Sequence, residues 1–234
     1  MKPYAKDVRE RLVKEAQEII NRYPEGHARS ALLPMLHLVQ SEDGYVSPNG
    51  IELCAELLGL NPAEVSAVAT FYTQYKRRPN GEYTVGVCVN SLCAVMGGDE
   101  IWDTVCEHLG VGHEETTADG KITLEALECN AACDYAPVIM VNWEFFDNQT
   151  PESAVKLVDD LRAGNPVGTT RGPKQIPTFR ENEHLLAGFE DGHVDEGASA
   201  GDATLLGKRV AESHGWGIPA DPGWSTPEKE GETQ

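Results

Sequence analysis

The 234-residue sequence predicts an α+β protein with an N-terminal helical bundle over residues 1–80, a small sheet domain over residues 81–164 and an irregular tail over residues 165–234. Three observations support this division. Apolar residues recur at helical spacing in the first segment, strand-like and helix-like patterns alternate in the second, and Gly and Pro become about twice as frequent in the third. The length suits one core domain with additions.

The first segment predicts four short helices. Residues 5–23 carry apolar side chains every three or four positions, the pattern of an amphipathic helix, and a second helix begins near Ser30. Ser47 and Asn61 each precede a proline, which is the arrangement of a capping residue followed by the first helical position. Glu64 stands where a capping box needs an acidic residue. We expect these helices to pack as a module.

The second segment follows the order strand, helix, strand, strand, strand, helix. This order is that of a small thioredoxin-like sheet with flanking helices. Residues 138–141 are wholly apolar and predict an interior strand, with residues 144–146 as its hairpin partner. Thr150 caps the last helix, and Gly164 ends it. The other predicted strands are residues 83–87 and 121–127, and the first helix follows Gly97-Gly98-Asp99 and carries Ile101 to Leu109.

Charge and hydropathy exclude several classes of protein. The net charge is −19, and the only basic run is Lys76-Arg77-Arg78, so we expect no nucleic-acid partner. The longest apolar stretch, residues 31–39, falls well short of the ~20 residues that a bilayer span requires. The N-terminus turns charged at once, unlike a secretory signal. We therefore expect a cytoplasmic protein that does not insert into a membrane.

Four of the six cysteines form two pairs. Four residues separate Cys88 from Cys93, and three separate Cys129 from Cys133. Each pair begins in a loop directly after a predicted strand, which would bring both loops to one end of a parallel or mixed sheet. We therefore expect four thiolates to converge there. In a cytosolic chain of this size they are not a disulfide framework.

Converging thiolates can hold more than one kind of metal centre. Spacings of three and four residues fit a structural zinc site. No Cys-x-x-Cys pair is present for dithiol chemistry, Met96 stands where the plant-type ferredoxin spacing needs a cysteine, and no histidine lies in either loop for a Rieske centre. Zinc and an all-cysteine [2Fe-2S] cluster, with each pair on one iron, remain open. Cys54 and Cys106 lie within amphipathic helices and are expected in the core.

Several motifs along the chain occur together in one known family. They are the two cysteine pairs, Tyr135-Ala136-Pro137-Val138, Asn142, Thr150-Pro151-Glu152, Leu32-Leu33-Pro34, Gly44-Tyr45-Val46-Ser47 and the run from Glu64 to Tyr72. In these motifs the sequence resembles the thioredoxin-like [2Fe-2S] subunit of the NADH dehydrogenase module of respiratory complex I. The resemblance spans about residues 5–162 and departs from the family at Asn130-Ala131, where an apolar residue followed by Gly is more usual.

The resemblance implies a one-electron carrier with one [2Fe-2S] cluster on Cys88, Cys93, Cys129 and Cys133. It also implies a hetero-oligomer with the flavin- and NADH-binding subunit and the large iron-sulfur subunit, peripheral on the cytoplasmic face of the membrane. No nucleotide-binding loop is present, so the chain alone should not oxidise NADH. The alternatives are the equivalent subunit of an NAD-linked hydrogenase or formate dehydrogenase, and a zinc-stabilised thioredoxin-like binding module.

The tail combines excess acidic residues with side chains that are costly to leave in water. We expect it to become ordered along the surface of a partner. The apolar residues concerned are Phe179, Leu185, Leu186, Trp216 and Trp224.

Overall fold

A computed structural model describes residues 3–217, which divide into one compact unit up to Ser199 and a second from Ala200 onward. The end of the predicted tail, including Trp224, lies outside the described residues. Within the part of the chain that is described, no helix is both long and apolar enough to cross a membrane.

The first unit begins with the four predicted helices. The Ser47 hydroxyl accepts the Gly50 N–H at 3.0 Å, and Asn61 and Glu64 form the predicted capping box at the next helix start. Gly59, with a φ of +63°, ends the third helix in the left-handed conformation that favours glycine. The helices are α1 (Lys6–Ile20), α2 (Leu32–Asp43), α3 (Pro48–Leu58) and α4 (Pro62–Phe71).

One buried apolar cluster holds these helices together. Leu12 and Ile19 of α1 share it with Met35 and Leu36 of α2, and all four side chains are almost completely buried. Cys54 of α3 lies in the same cluster, as the sequence predicts, and its burial raises the pKa of the thiol to about 12. Cys54 is therefore an inert core residue at neutral pH.

The second part of the first unit is a five-stranded sheet with flanking helices. The strand order is β2-β3-β1-β4-β5, and β1 and β3 are parallel while the other neighbours are antiparallel. Strand β2 and helix α5 are too short to leave a periodic pattern in the sequence. In chain order the elements are β1 (Tyr83–Cys88), α5 (Ser91–Val95), α6 (Gly98–Leu109), β2 (Glu115–Thr116), β3 (Ile122–Leu127), β4 (Ile139–Val141), β5 (Glu144–Phe146) and α7 (Pro151–Ala163).

One face of the sheet packs against α6 and α7. Because successive strand residues point to opposite faces, alternate apolar residues such as Val85 and Ile122 share a buried cluster with Val105 of α6 and Leu161 of α7. Cys106 of α6 packs against this cluster, in agreement with its predicted core position. On β3, Glu125 is buried and forms an ion pair with Lys76, so the chain that follows α4 is tied to the sheet.

Part of the predicted irregular tail forms helix α8 (Phe179–Leu186), which packs against α2. The carboxylate of Glu183 is buried, and it accepts hydrogen bonds from Gln40 Nε2 at 2.7 Å and from His37 Nδ1 at 2.6 Å. The Phe179 N–H donates to the Glu82 carbonyl at 2.8 Å. Within residues 165–199, α8 is the regular element, and the backbone around it is irregular, as the sequence predicts.

The sequence did not predict α8, because two of its three buried residues are polar. Its start is signalled locally, since Thr178 and Glu181 form a capping box, but Asn182 and Glu183 are buried where an amphipathic pattern would place apolar residues. In the second unit, helix α9 (Asp202–Ser213) is the remaining helix within the described residues.

The turn between β4 and β5 fixes the position of both strands relative to β1. Asn142 and Trp143, its two central residues, have φ values of +47° and +72°, as in a two-residue type I′ hairpin. The buried Asn142 side chain accepts the Thr84 N–H at 2.8 Å through Oδ1 and donates from Nδ2 to the Pro177 carbonyl at 2.8 Å. One side chain therefore joins the hairpin, β1 and the segment before α8.

We predict that Asn142→Gly lowers the free energy of unfolding by about 2–4 kcal/mol, because the buried Thr84 N–H and the Pro177 carbonyl each lose a partner. Glycine accepts the positive φ, so the change isolates these hydrogen bonds. Equilibrium urea unfolding measures the loss. The matched control is Asn148→Gly, since Asn148 also has a positive φ, +50°, but is exposed. An equal loss in both variants would contradict the prediction.

Candidate metal centre

Two cysteine-bearing loops leave the sheet side by side. Strands β1 and β3 are parallel, so their carboxyl ends lie at the same edge, and Cys88 is in register with Leu127. Cys129 follows Leu127 by two residues. Both thiol pairs therefore start from adjacent strand ends, at the edge of the sheet where the sequence places them.

The first pair is buried. Cys88, the last residue of β1, and Cys93, on α5, are 3% and 4% exposed. The Cys88 N–H donates to the Val138 carbonyl at 3.1 Å. Burial raises the pKa of the Cys93 thiol above its ordinary value, and a hydrogen bond with Cys88 and the nearby thiols of Cys88 and Cys133 raise it further, while a backbone hydrogen bond from Val138 opposes these effects.

The second pair lies on the surface. Cys129 and Cys133 are exposed, and the Ala131 N–H donates to Cys129 Sγ at 3.3 Å. A short 3-10 turn runs from Cys133 to Tyr135. The next residue, Ala136, is buried in one cluster with Cys88 and Cys93, so the end of the second loop packs directly on the first pair.

The structure brings three of the four predicted thiols into one neighbourhood. Cys88 and Cys93 are in contact, and Cys133 is close enough to act electrostatically on Cys93. The sulfur of Cys129 accepts a hydrogen bond from the Ala131 N–H within its own loop. All six cysteines are free of disulfides, and among residues 3–217 no three metal-binding side chains are gathered at the spacing of a single-ion site.

Gly98 brings α6 into close contact with the first loop. A Cβ atom at this position would lie 2.6 Å from the Cys88 carbonyl oxygen and 2.8 Å from the Cys93 carbonyl oxygen. These are backbone atoms of both cysteines, so the clash could not be relieved by a side-chain rotation. The sequence predicts Gly98 only as part of the helix start. The available signal is that Gly98 is the second of two adjacent glycines, which three residues separate from Cys93.

Comparison with known proteins gives concordant matches. Residues 16–162 match the thioredoxin-like [2Fe-2S] ferredoxin family. A subunit of NADH-quinone oxidoreductase from Mycobacterium tuberculosis (strain H37Rv) is 60% identical over 221 residues, which are 94% of this chain and 86% of the relative. NADH-quinone oxidoreductase subunit 2 of Thermus thermophilus is 40% identical over 149 residues, 63% of this chain and 82% of the relative.

More distant matches agree in fold. NADH dehydrogenase [ubiquinone] flavoprotein 2 of Dictyostelium discoideum is 37% identical over 166 residues, 70% of this chain and 66% of the relative. The solved structure of an NAD+-reducing [NiFe]-hydrogenase in the H2-reduced state superimposes with a TM-score of 0.52 at 20% identity, over 58% of this chain and 22% of that chain. This last likeness concerns the fold alone.

The chain belongs to the thioredoxin-like [2Fe-2S] ferredoxin family. This confirms the resemblance, the α+β fold with a thioredoxin-like domain, and one [2Fe-2S] cluster as the cofactor. Its relatives are subunits of oxidoreductase complexes, so the chain is an enzyme subunit that works in a hetero-oligomer.

The residues at the sheet edge fit this cofactor. An all-thiol donor set suits iron-sulfur ligation, and two pairs suit a cluster whose two irons each take two thiolates. The Ala131 N–H already donates to the Cys129 sulfur, which is the kind of outer-shell hydrogen bonding that stabilises bound thiolates.

The backbone of Ala131, between Cys129 and Cys133, is strained. Its φ is +51°, in the left-handed region that costs a residue with a Cβ about 1–2 kcal/mol. We predict that Ala131→Gly stabilises the second loop by about 1 kcal/mol and slows loss of the cluster to an iron chelator. Ala132→Gly is the control, because Ala132 has a φ of −116° and should only gain flexibility. Faster loss from Ala131→Gly would contradict the strain argument.

Proposed function

We propose that this chain is the electron-transfer subunit of NADH-quinone oxidoreductase, with its cluster bound by Cys88, Cys93, Cys129 and Cys133. The observation that carries the proposal is the origin of both thiol pairs at adjacent carboxyl ends of the parallel strands β1 and β3. Relatives that are named as subunits of NADH-quinone oxidoreductase, and that match over 94% of this chain, support the choice of complex.

When bound, a [2Fe-2S] cluster takes up and returns one electron. The four cysteines bind iron as thiolates, so each must release its proton. Burial raises the pKa of the Cys93 thiol and therefore opposes the thiolate form that iron ligation requires. The Val138 carbonyl accepts the Cys88 N–H, and the Ala131 N–H donates to the sulfur of Cys129. The protein thereby fixes the thiols and supplies hydrogen bonds, and needs no general acid or base.

The proposed partners are those that the family resemblance implies. Its sequence has no glycine-rich nucleotide-binding loop, so hydride removal from NADH is assigned to a flavin- and NADH-binding subunit of the same module. A large iron-sulfur subunit is the second proposed partner, and the complex is placed on the cytoplasmic face of the membrane. Residues 1–80, where basic and acidic side chains balance, are proposed as the docking segment, and residues 81–164 as the cluster domain.

The equivalent subunit of an NAD-linked hydrogenase is the second candidate, because the solved hydrogenase shares the fold. It is less favoured, since that likeness has 20% identity, whereas relatives from the quinone-reducing complex reach 60%. An equivalent formate dehydrogenase subunit is the least favoured candidate, because none of the relatives described above is a formate dehydrogenase.

We predict that the isolated chain contains two irons and two acid-labile sulfides. Replacing Cys88, Cys93, Cys129 or Cys133 with Ser should lose or distort the cluster, because the soft thiolate ligand is required. The measurement is iron and sulfide analysis together with the visible spectrum. Cys54→Ala and Cys106→Ala are the controls and should keep full cluster content. One zinc per chain without labile sulfide would favour the zinc-stabilised binding module and refute the assignment.

The choice of complex is tested by reconstitution. We predict that the purified chain alone shows no NADH oxidation with an artificial electron acceptor. Added to the flavin-bearing subunit from the same genome, it should form a stable complex that oxidises NADH, and dithionite should reduce the cluster on this chain, observed by electron paramagnetic resonance. NADH oxidation by the chain alone, or a failure of the two subunits to form a complex, would contradict the proposed division of labour.

A further inference from the structure

The chain segment after α7 returns to the sheet and extends it beyond β5. The Thr170 N–H donates to the Phe145 carbonyl at 3.0 Å, and Arg171 forms an antiparallel bridge with Phe145. The Asp147 N–H donates to Thr170 Oγ1 at 3.0 Å. This segment lies beyond residues 16–162, the stretch that matches the family.

Arg171 is held in one orientation by four contacts. Its Nε and one terminal nitrogen donate to the two carboxylate oxygens of Asp147, each at 2.8 Å, and both side chains are almost buried. The guanidinium lies over the ring of Phe145, 4.2 Å from the centroid, and near the ring of Tyr135, 5.2 Å from its centroid. Only a planar, bidentate cation fits both the carboxylate and the rings.

Tyr135 connects this arrangement to the thiol loop. It is the last residue of the short turn that begins at Cys133. Its carbonyl accepts the Asn148 N–H at 2.9 Å, and Asn148 adjoins Asp147. The ring of Tyr135 is contacted by Arg171, which pairs with Asp147, and its carbonyl is bonded by the neighbouring Asn148.

We infer that Arg171 is a positioning residue for the cluster, acting through Tyr135 to hold the Cys129–Cys133 loop in its binding conformation. The inference rests on the proposed role of these cysteines as ligands. The second loop needs such support because both of its cysteines are exposed and Ala131 is strained, whereas the first pair is enclosed by the core. The nearly buried ion pair of Asp147 with Arg171, which lies 38 residues beyond Cys133 in the sequence, supplies this support.

The test uses the full-length chain with its cluster. Wild type, Arg171→Gln and Arg171→Lys are compared for the rate at which an iron chelator bleaches the visible absorbance and for the paramagnetic resonance spectrum of the dithionite-reduced protein. Arg162→Gln is the matched control. Arg162 also pairs with a carboxylate, that of Asp119, with Nε at 2.9 Å, but this pair is more exposed and neither residue belongs to a thiol loop.

We expect both Arg171 variants to lose the cluster about tenfold faster than wild type, with an altered resonance spectrum, because the contacts that keep the loop closed are lost. The control should match wild type in both measurements. Wild-type behaviour of Arg171→Lys would overturn the inference, since it would mean that charge alone suffices. Equal acceleration in Arg162→Gln would overturn it by revealing a global loss of stability.

A second pair of variants avoids the ion pair altogether. Tyr135→Leu removes the ring and leaves Arg171 and Asp147 in place, so it should also accelerate cluster loss. Tyr135→Phe keeps the ring that Arg171 contacts, so it should lose the cluster at the wild-type rate. No acceleration in Tyr135→Leu would overturn the inference even if the Arg171 variants do not fold. If the wild-type chain contains two irons and two sulfides but the variants lose the cluster no faster, only the role of Arg171 is refuted. If the wild-type chain contains no such cluster, the proposed function is refuted as well.

Discussion

The parallel pairing of β1 with β3 is the constraint on which the site depends. It places the carboxyl ends of two strands next to each other, so the loops that follow them must start within one strand spacing. Neither thiol pair is a complete cluster site by itself. The parallel pairing of the two strands brings Cys88 and Cys93 next to the loop that carries Cys129 and Cys133. The hairpin of β4 and β5, tied to β1 by Asn142, then closes the sheet on the side of the first cysteine.

The two halves of the site are built by different means. The first pair is rigid because it is buried, with α6 against its backbone at Gly98 and the Val138 carbonyl bonded to Cys88. The second pair is exposed and depends on contacts from elsewhere in the chain, including Ala136 on the first pair. Residues 81–162 carry three basic and sixteen acidic side chains, so the bound cluster would sit in a strongly negative domain, which disfavours adding an electron and favours a low potential.

The segment after α7 joins the parts of the first unit that precede it. Arg171 extends the sheet at β5, the Pro177 carbonyl accepts a hydrogen bond from the Asn142 side chain, and Glu183 of α8 is buried against α2. Lys76 adds a further link from the helical segment to β3. The helical bundle and the sheet are thus tied together by polar contacts that are sheltered from water, where the loss of one partner is more costly than at the surface.

The sequence by itself determined the features that arise from short-range chemistry. The helix starts at Ser47, Asn61 and Thr150, the strands around the sheet core and the two thiol pairs were all predicted, because caps, periodicity and spacing act within a few residues. Only the tertiary structure decided which distant residues serve the site. Gly98 is needed because the backbone of both cysteines of the first pair packs against it. Arg171 acts through partners that lie up to 36 residues earlier in the chain. Such contacts leave no local pattern, since they exist only once the chain has folded.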